Sequence, residues 1–272
     1  MTIVLRETAY AKINLALHVR RRRGDGYHEL ETLFAFVDAG DVLTAHPAYR
    51  DELTVAGAFG PQLTDPFGNI VAQALAKLPR SQGLSITLEK NLPVAAGLGG
   101  GSADAGAVFR IVEGLHGLPR DWRERAASLG ADVPACVESR MCLGQGTGTI
   151  LSSVVNDLEN TAVLLVNPRV PLATGPVFAG WDGKDGGALS EGPASRIAEQ
   201  GRNDLESPAI AQAPQIADVL SALREGSNIA RMSGSGATCF ALYDDTQARD
   251  VAASRIARDH PEWWQMSGKL RA

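Results

Sequence analysis

The chain has 272 residues, of which 44% are hydrophobic and 21% charged, with a formal net charge of −5. This balance predicts a globular protein and excludes long disordered stretches, and the acidic charge disfavours a general nucleic-acid binder. No apolar run is long enough for a membrane span or a signal peptide, so no membrane partner is expected. Three cysteines at spacings that match no zinc signature predict free thiols in a cytoplasmic protein.

The N-terminal half mixes strands with helices. Residues 9–20 alternate apolar and polar side chains, which predicts a strand whose polar face carries Tyr10, Lys12, Asn14 and His18. Residues 24–28 (Gly-Asp-Gly-Tyr-His) predict a turn. Further strands are predicted over 30–37, 41–45 and 84–90, and helices over 69–78, over 102–115 and after Pro119.

The C-terminal half continues the mixture. Strands are predicted over 161–166, 229–232 and 238–243, helices over 210–224 and 247–259, and a glycine-rich loop over 181–192. Adjacent strands with inserted helices favour the α+β class over a regular doubly wound sheet. The length suits two domains, and we expect their boundary near residue 155, which gives domains 1–155 and 156–272.

A glycine-rich segment between a predicted strand and a predicted helix is the strongest local signal. Glycines let a backbone approach a ligand closely and turn its N–H groups toward anionic oxygens, and a helix N-terminus adds its positive dipole. The segment therefore predicts a polyphosphate cradle rather than a flexible loop. It reads Pro93, Val94, Ala95, Ala96, Gly97, Leu98, Gly99, Gly100, Gly101, Ser102 and Ala103.

Two other phosphate-binding motifs do not fit this segment. The Walker pattern ends in a lysine followed by serine or threonine, and no lysine is present here. The dinucleotide fingerprint needs an early βαβ unit, whereas this segment lies in mid-chain. A second glycine cluster, residues 233–236, is by itself typical of a tight hairpin, but beside the first it would form a second wall for phosphates or substrate.

Phosphoryl transfer at such a cradle needs a cation and often a carboxylate near the acceptor hydroxyl. Lys12 is the candidate cation, although the pattern alone also fits an ordinary exposed strand lysine. Asp132 is the candidate carboxylate, because it lies among apolar neighbours; a helix N-cap ahead of Val133 and Pro134 is an equally good interpretation. An acid in the first turn of a helix, as at Asp104, more often compensates the helix dipole.

Two further sequence features each allow two interpretations. The run of four arginines at residues 20–23 is typical of a solvated turn, and otherwise would form a basic rim near an anionic ligand. Tyr27 and His28 follow the turn, where an aromatic ring and an imidazole either pack the loop or clamp a base or phosphate.

Taken in order, these motifs resemble the GHMP kinases over nearly the whole chain. Segment 93–103 resembles the ATP-binding motif of that superfamily, and residues 231–238 resemble its third, glycine-rich motif. Ala11-Lys-Ile-Asn-Leu and Arg23-Gly-Asp-Gly-Tyr-His resemble the amino-terminal signature of the 4-diphosphocytidyl-2-C-methyl-D-erythritol kinases. Gly26-Tyr-His and Gly130-Ala-Asp-Val-Pro are the narrower motifs, and the resemblance to this family rests on them. Many relatives have a second serine where this chain has Ala103.

The resemblance implies a two-domain fold with its active site in the interdomain cleft. It also implies ATP with Mg²⁺, and transfer of the γ-phosphate to the 2-hydroxyl of the erythritol moiety. Asp132 would be the general base and Lys12 its charge partner, with metal ligands unknown. Asn69 and Lys90 would line the nucleotide pocket. The substrate would be held by Asn14, Tyr27, His28, Thr174 and Phe178.

Two other functions are weighed against this one. The first is a GHMP kinase acting on homoserine, mevalonate or a sugar, which the narrower turn motif disfavours. The second is a nucleotide-binding protein without catalysis, which would need neither Lys12 nor Asp132. The expected partners are the small-molecule substrate and ATP. The sequence leaves open whether the protein is a monomer or a homodimer.

Overall fold

The structure, a computed structural model, describes residues 4–65 and 68–272. In chain order its elements are β1 (Leu5–Arg22), β2 (His28–Ala48), β3 (Glu52–Ala56), α1 (Ile70–Lys77), β4 (Gly83–Glu89), α2 (Gly100–His116), α3 (Trp122–Ala127), α4 (Val133–Glu138), β5 (Cys142–Gly146), β6 (Ile150–Ser153), β7 (Ala162–Asn167), α5 (Thr174–Ala179), α6 (Ala194–Gln200), α7 (Glu206–Gln212), α8 (Gln215–Arg224), β8 (Ile229–Met232), β9 (Cys239–Tyr243), α9 (Thr246–Asp259) and β10 (Trp264–Lys269). The expected α+β class is confirmed. Within the described ranges, no helix has both the length and the apolar character needed to traverse a bilayer.

Two compact units make up the chain, and neither is continuous in sequence. The first comprises Met1–Ala11, Gly40–Val94 and Gly99–Ser139, and the second comprises Lys12–Ala39, Ala95–Leu98 and Arg140–Ala272. Strands β1 and β2 are therefore each divided between the units. The family-domain boundary expected near residue 155 stays a prediction, because compactness does not mark where one homologous domain ends.

In the first unit, β4 lies between two partners. Residues 42–48 of β2 run antiparallel to it, and β3 runs parallel to it. Leu84, Ile86 and Leu88 are buried while the residues between them are more exposed, which is the period of a strand with one face in the core. Helix α2 packs against both α1 and α4.

The second unit contains an antiparallel sheet in the order β10-β7-β9-β8. All six residues of β7 are buried, which explains why its sequence is a continuous apolar run rather than an alternating one. Helix α8 contributes Ile216, Val219, Leu220 and Leu223 to the core, at the spacing of one helical face. Residues 30–34 of β2 pair with β5, which in turn pairs with β6.

Three predicted elements are wrong in their extent. The helix expected over 210–224 is interrupted, because Pro214 lacks the N–H that would continue α7, and α8 starts after it. The strands expected over 30–37 and 41–45 are one strand, β2, since partners on both stretches keep the backbone extended between them. Gly40 lies in that join, where a Cβ would be 1.9 Å from the Ala9 carbonyl oxygen.

The remaining predicted strands and helices are confirmed to within a few residues. The elements that the sequence patterns missed are short, at four to seven residues, and they carry little periodicity: β3, β5, β6, β10, α5 and α6.

Helix α2 approaches α4 closely at Gly106. A Cβ at Gly106 would lie 2.4 Å from the backbone carbonyl oxygen of Cys136 in α4. Such a contact forces backbone to move, because no flexible side chain is available to yield. Gly106 therefore sets the position of α4, and with it the segment that carries Asp132.

Gly106→Ala is expected to lower the free energy of unfolding by about 1–3 kcal/mol through this overpacking. Gly114 is the matched control, because it lies on the same helix and a Cβ there would meet nothing within 4 Å. Gly114→Ala should raise stability by about 0.5–1 kcal/mol, the usual gain of alanine over glycine in a helix. Urea unfolding of both variants measures the difference, and equal changes would contradict close packing at Gly106.

Candidate active site

The glycine-rich segment belongs to the second unit over Ala95–Leu98 and to the first unit on either side, and it ends in helix α2. Its backbone takes positive φ at Ala95, Gly97 and Gly99, and α2 begins after Gly99 with φ 60°. The Ala103 N–H donates to the Gly99 carbonyl at 2.7 Å, which closes the first turn. The N–H groups of a helix's first turn have no partner within the helix and suit an anion. The expected strand–loop–helix context is confirmed, and phosphate binding stays a prediction.

The second glycine cluster lies directly against the first, within the second unit. Ser233 Oγ donates to the Gly97 carbonyl at 2.8 Å, and the Thr238 N–H donates to the Ala96 carbonyl at 3.1 Å. A Cβ at Gly97 would lie 2.4 Å from the Ser233 carbonyl oxygen. The two segments can approach this closely only because Gly97 has no side chain.

Strand β1 brings Lys12 and Asn14 to the same place in the second unit. The Lys12 N–H donates to the Leu98 carbonyl at 3.0 Å, and the Asn14 N–H donates to Ser233 Oγ at 3.2 Å. The Lys12 ammonium donates to Asn14 Oδ1 at 2.9 Å and lies 5.0 Å from the centre of the Phe34 ring. Lys12 is only 4% exposed, so the interpretation as an ordinary exposed strand lysine is wrong.

Asp132 is half-buried in the first unit, at the N-cap position of α4. Its side chain makes no capping hydrogen bond, so the N-cap interpretation holds for its position and not for its side chain. Two residues earlier, a Cβ at Gly130 would lie 3.9 Å from Ser102 Oγ in the first turn of α2. The segment that carries Asp132 therefore borders the helix that the glycine-rich loop opens. The pairing of Lys12 with Asp132 stays a prediction.

Lys90 belongs to a buried charge cluster in the first unit. Its ammonium lies 2.5 Å from Asp41 Oδ2 and 2.7 Å from Asp104 Oδ2, and all three side chains are almost fully buried. Asp104 is thus an ion-pair partner rather than an exposed acid that compensates the dipole of α2. Sequence patterns missed Asp41, since a single acid at the start of a predicted strand has no distinctive spacing.

Asp41 also fixes the chain that enters the glycine-rich loop. Its Oδ1 accepts from the N–H groups of Asn91 and Leu92 at 2.5 and 2.8 Å. Through Lys90 the same carboxylate is linked to Asp104, which follows the first turn of α2. The cluster therefore ties the residues before the loop to the helix after it.

Burial raises the pKa of Asp104 well above its usual value, although the charge of Lys90 opposes the shift. For Lys90, burial lowers the pKa, but Asp104 and Asp41 outweigh it, and the pKa is raised. Asp104 Oδ1 has no hydrogen-bond partner within residues 4–65 and 68–272. Two carboxylates thus share one ammonium, and the less well hydrogen-bonded of them favours its neutral form.

Asn69, the other residue expected at the nucleotide pocket, caps helix α1. Its Oδ1 accepts from the Val71 N–H at 2.9 Å, and the residue is buried. This contact explains why α1 begins at Ile70. Nucleotide contacts of Asn69 and Lys90 stay predictions.

An aromatic cluster in the second unit contains two of the expected substrate residues. The His28 ring lies 5.1 Å from that of Phe178 and edge-on to that of Trp181 at 5.9 Å. Burial and the charge of Arg22 lower the pKa of His28, which favours the neutral imidazole. The sequence patterns give Trp181 no role, because one aromatic residue at the start of a glycine-rich loop has no distinctive spacing. Tyr27, by contrast, is 68% exposed.

The remaining expected residues are placed as follows. Thr174 begins α5, and its hydroxyl lies 3.0 Å from that of Ser235 in the second glycine cluster. Of the four arginines, Arg20 pairs with Glu31 and Asp185, Arg21 with Glu29, and Arg23 with Asp25. Among the described residues, no three or more His, Cys, Asp or Glu side chains are grouped to hold a metal ion.

Comparison with known proteins identifies the class. Residues 69–140 match the model of the GHMP kinases N terminal domain, and residues 189–262 match that of the GHMP kinases C terminal domain. The crystal structure of a homoserine kinase from Cytophaga hutchinsonii has a TM-score of 0.71 at 18% identity, over 99% of this chain and 94% of that one, which shows a shared fold.

Relatives of higher sequence identity show which family of GHMP kinases the chain resembles. A 4-diphosphocytidyl-2-C-methyl-D-erythritol kinase of Novosphingobium aromaticivorans is 67% identical over 98% of this chain and 93% of its own length. One of Erythrobacter litoralis is 63% identical over 98% of this chain and all of its own. A crystal structure of 4-(cytidine 5'-diphospho)-2C-methyl-D-erythritol kinase has a TM-score of 0.82 at 30% sequence identity. The match covers 98% of this chain and 100% of that one. The chain belongs to the GHMP kinases, and within them to the 4-diphosphocytidyl-2-C-methyl-D-erythritol kinase family.

The two acids of the buried cluster should respond differently to neutralisation. Asp41 accepts from three donors, so an amide at this position must turn an NH₂ toward at least one of them. Asp41→Asn should therefore lower the free energy of unfolding by about 1–3 kcal/mol at pH 7. Asp104→Asn leaves one carboxylate for the Lys90 ammonium, so the free energy of unfolding should stay unchanged or increase at that pH.

The pH dependence separates the two variants further. Because the folded-state pKa of Asp104 is raised, its contribution to stability is present below pH 3.8 and is lost as pH rises through the higher folded value. The stability of Asp104→Asn relative to wild type should thus increase from pH 4 upward. Thermal unfolding across this range measures it; a difference independent of pH would contradict a raised pKa.

Proposed function

We propose that the chain transfers the γ-phosphate of ATP to the 2-hydroxyl of 4-diphosphocytidyl-2-C-methyl-D-erythritol. The products are the 2-phosphate and ADP, in the non-mevalonate pathway to isoprenoid precursors. One observation carries the proposal: relatives with this kinase name match at 67% and 63% identity over nearly the whole chain. We expect the reaction in the cytoplasm, where ATP and such intermediates are available.

The glycine-rich loop supports ATP as the phosphate donor. Positive φ angles at Gly97 and Gly99 turn the backbone before α2, and the first-turn N–H groups of this 17-residue helix meet the charge of a triphosphate. We assign the phosphates to this loop. Mg²⁺, when bound, would offset charge on the transferred phosphoryl group. Mg²⁺ is usually held by substrate phosphates and only one or two protein ligands, which suits the half-buried hydroxyl of Ser102.

The remaining chemistry is assigned to Asp132 and Lys12. The acceptor oxygen forms a bond to the γ-phosphorus while the bond from that phosphorus to the β–γ bridging oxygen breaks, and ADP leaves. Asp132 accepts the proton of the acceptor hydroxyl as general base. Lys12, which donates to Asn14, supplies the positive charge that stabilises the negative charge developing on the acceptor oxygen.

The nucleoside end of the acceptor is assigned to the aromatic cluster. His28 and Phe178 lie with ring centres 5.1 Å apart in a tilted arrangement, and together they present aromatic surface to a base. Tyr27, largely exposed beside them, has a ring that can close over a bound base. Asn14 and Thr174 complete the proposed substrate contacts.

Replacement of the proposed base tests the reaction directly. Asp132→Asn should lower kcat by about 10²–10⁴-fold, the usual contribution of a general base, with ATP binding and thermal stability retained. Asp121→Asn is the matched control, because Asp121 occupies the N-cap of the neighbouring helix α3 and is exposed.

ADP release is measured with the erythritol substrate, homoserine, mevalonate and galactose. Turnover of Asp132→Asn at the wild-type rate would remove the proposed role, and preference for another acceptor would overturn the proposed substrate.

Replacement of Gly97 tests the assignment of the loop to ATP. Gly97 and Gly226 both have φ 77°, so the strained backbone alone is expected to cost about 1–2 kcal/mol of stability when either residue becomes alanine. A Cβ at Gly226 would meet nothing within 4 Å, whereas one at Gly97 would collide with the Ser233 carbonyl. Gly97→Ala should therefore raise the KM for ATP by about tenfold or more, while Gly226→Ala leaves it unchanged. Equal KM values in both variants would contradict the assignment.

A further inference from the structure

A chain of side-chain hydrogen bonds runs from Lys12 to the backbone of β1. The Lys12 ammonium donates to Asn14 Oδ1 at 2.9 Å, and Asn14 Nδ2 donates to Thr32 Oγ1 at 2.7 Å. The Thr32 hydroxyl then donates to the Ala16 carbonyl at 2.7 Å. All of these residues belong to the second unit, and Asn14 and Thr32 are fully buried there.

The direction of each bond in this chain is fixed from its far end. A backbone carbonyl only accepts, so the proton of the Thr32 hydroxyl must point at Ala16. The lone pairs of that hydroxyl then face Asn14, which must present its NH₂ group to them. The opposite side of the amide, Oδ1, is consequently left facing the Lys12 ammonium.

We propose that Thr32 is a positioning residue that sets the orientation of Lys12 through the amide of Asn14. The proposal rests on the proposed function insofar as Lys12 acts in the reaction; the orientation of the Asn14 amide does not depend on that role. Without the hydroxyl, Asn14 Nδ2 would be a buried donor that has lost its acceptor. The amide would then gain by rotating, which would turn its NH₂ toward the ammonium.

Substitutions of Thr32 separate the hydroxyl from the shape of the side chain. Thr32→Val keeps the branched shape and removes the hydroxyl, whereas Thr32→Ser keeps the hydroxyl. Thr44→Val is the matched control, since Thr44 is a half-buried threonine on the same strand, β2, but in the first unit. Should Thr32→Val fail to fold, Thr32→Ala removes the same hydroxyl with less crowding and carries the same expectations.

The kinetic test measures kcat and the KM for ATP of each variant. Thr32→Val should lower kcat by about tenfold or more, because a rotated Asn14 amide would no longer accept the hydrogen bond that orients the Lys12 ammonium in the transition state. The KM for ATP should change little. Thr32→Ser should restore kcat to within about threefold of wild type. Wild-type kcat in Thr32→Val would overturn the proposal, as would an equal loss in the serine variant.

A second readout does not need turnover. The side-chain amide protons of Asn14, assigned by their absence in Asn14→Leu, should exchange slowly with solvent in wild type and in Thr32→Ser. They should exchange faster in Thr32→Val, and stay protected in Thr44→Val. If the wild-type protein shows no kinase activity, the proposed function is wrong, but this measurement still tests the series of hydrogen bonds. Unchanged protection of the Asn14 amide in Thr32→Val would contradict the role of Thr32, whatever the activity.

Discussion

The backbone contact at Gly97 is the constraint on which the arrangement of Lys12, Asn14 and the two glycine clusters in the second unit depends. Ser233 lies 136 positions along the chain, yet its hydroxyl reaches the Gly97 carbonyl and also accepts the N–H of Asn14. Three distant segments therefore meet around one hydroxyl. A side chain at Gly97 would separate them, because the Ser233 carbonyl already occupies the position of a Cβ. A small contact with no apolar area thus determines where Lys12 lies relative to Leu98.

The two units solve the problem of buried polar groups in different ways. In the second unit, the buried Lys12 ammonium donates to the neutral side-chain amide of Asn14 at 2.9 Å. In the first unit, the Lys90 ammonium forms ion pairs with the carboxylates of Asp41 and Asp104. Two carboxylates that already pair with Lys90 leave its charge a weak attraction for a phosphate, which argues against Lys90 as a catalytic cation.

Sequence patterns predicted what depends on local chain properties. The glycine-rich loop, the helix it opens and the alternation of β1 all follow from residues close together in sequence. The roles of Thr32 and Asp41 do not, because their partners lie 16 to 51 positions away and each looks like an ordinary strand residue. Burial of the polar face of β1 was missed for the same reason: alternation shows that the two faces differ, not that one of them is exposed.

Fold alone does not select the acceptor. The homoserine kinase structure shares the fold at 18% identity and is named for a different substrate. A loop that held phosphates through backbone N–H groups would be insensitive to what receives the phosphate, so it could be common to both. Discrimination would then depend on side chains away from the loop. We propose His28, Phe178 and Trp181 for that role, because the His28 ring lies against both of the others and such aromatic surface suits a flat base better than a small amino acid.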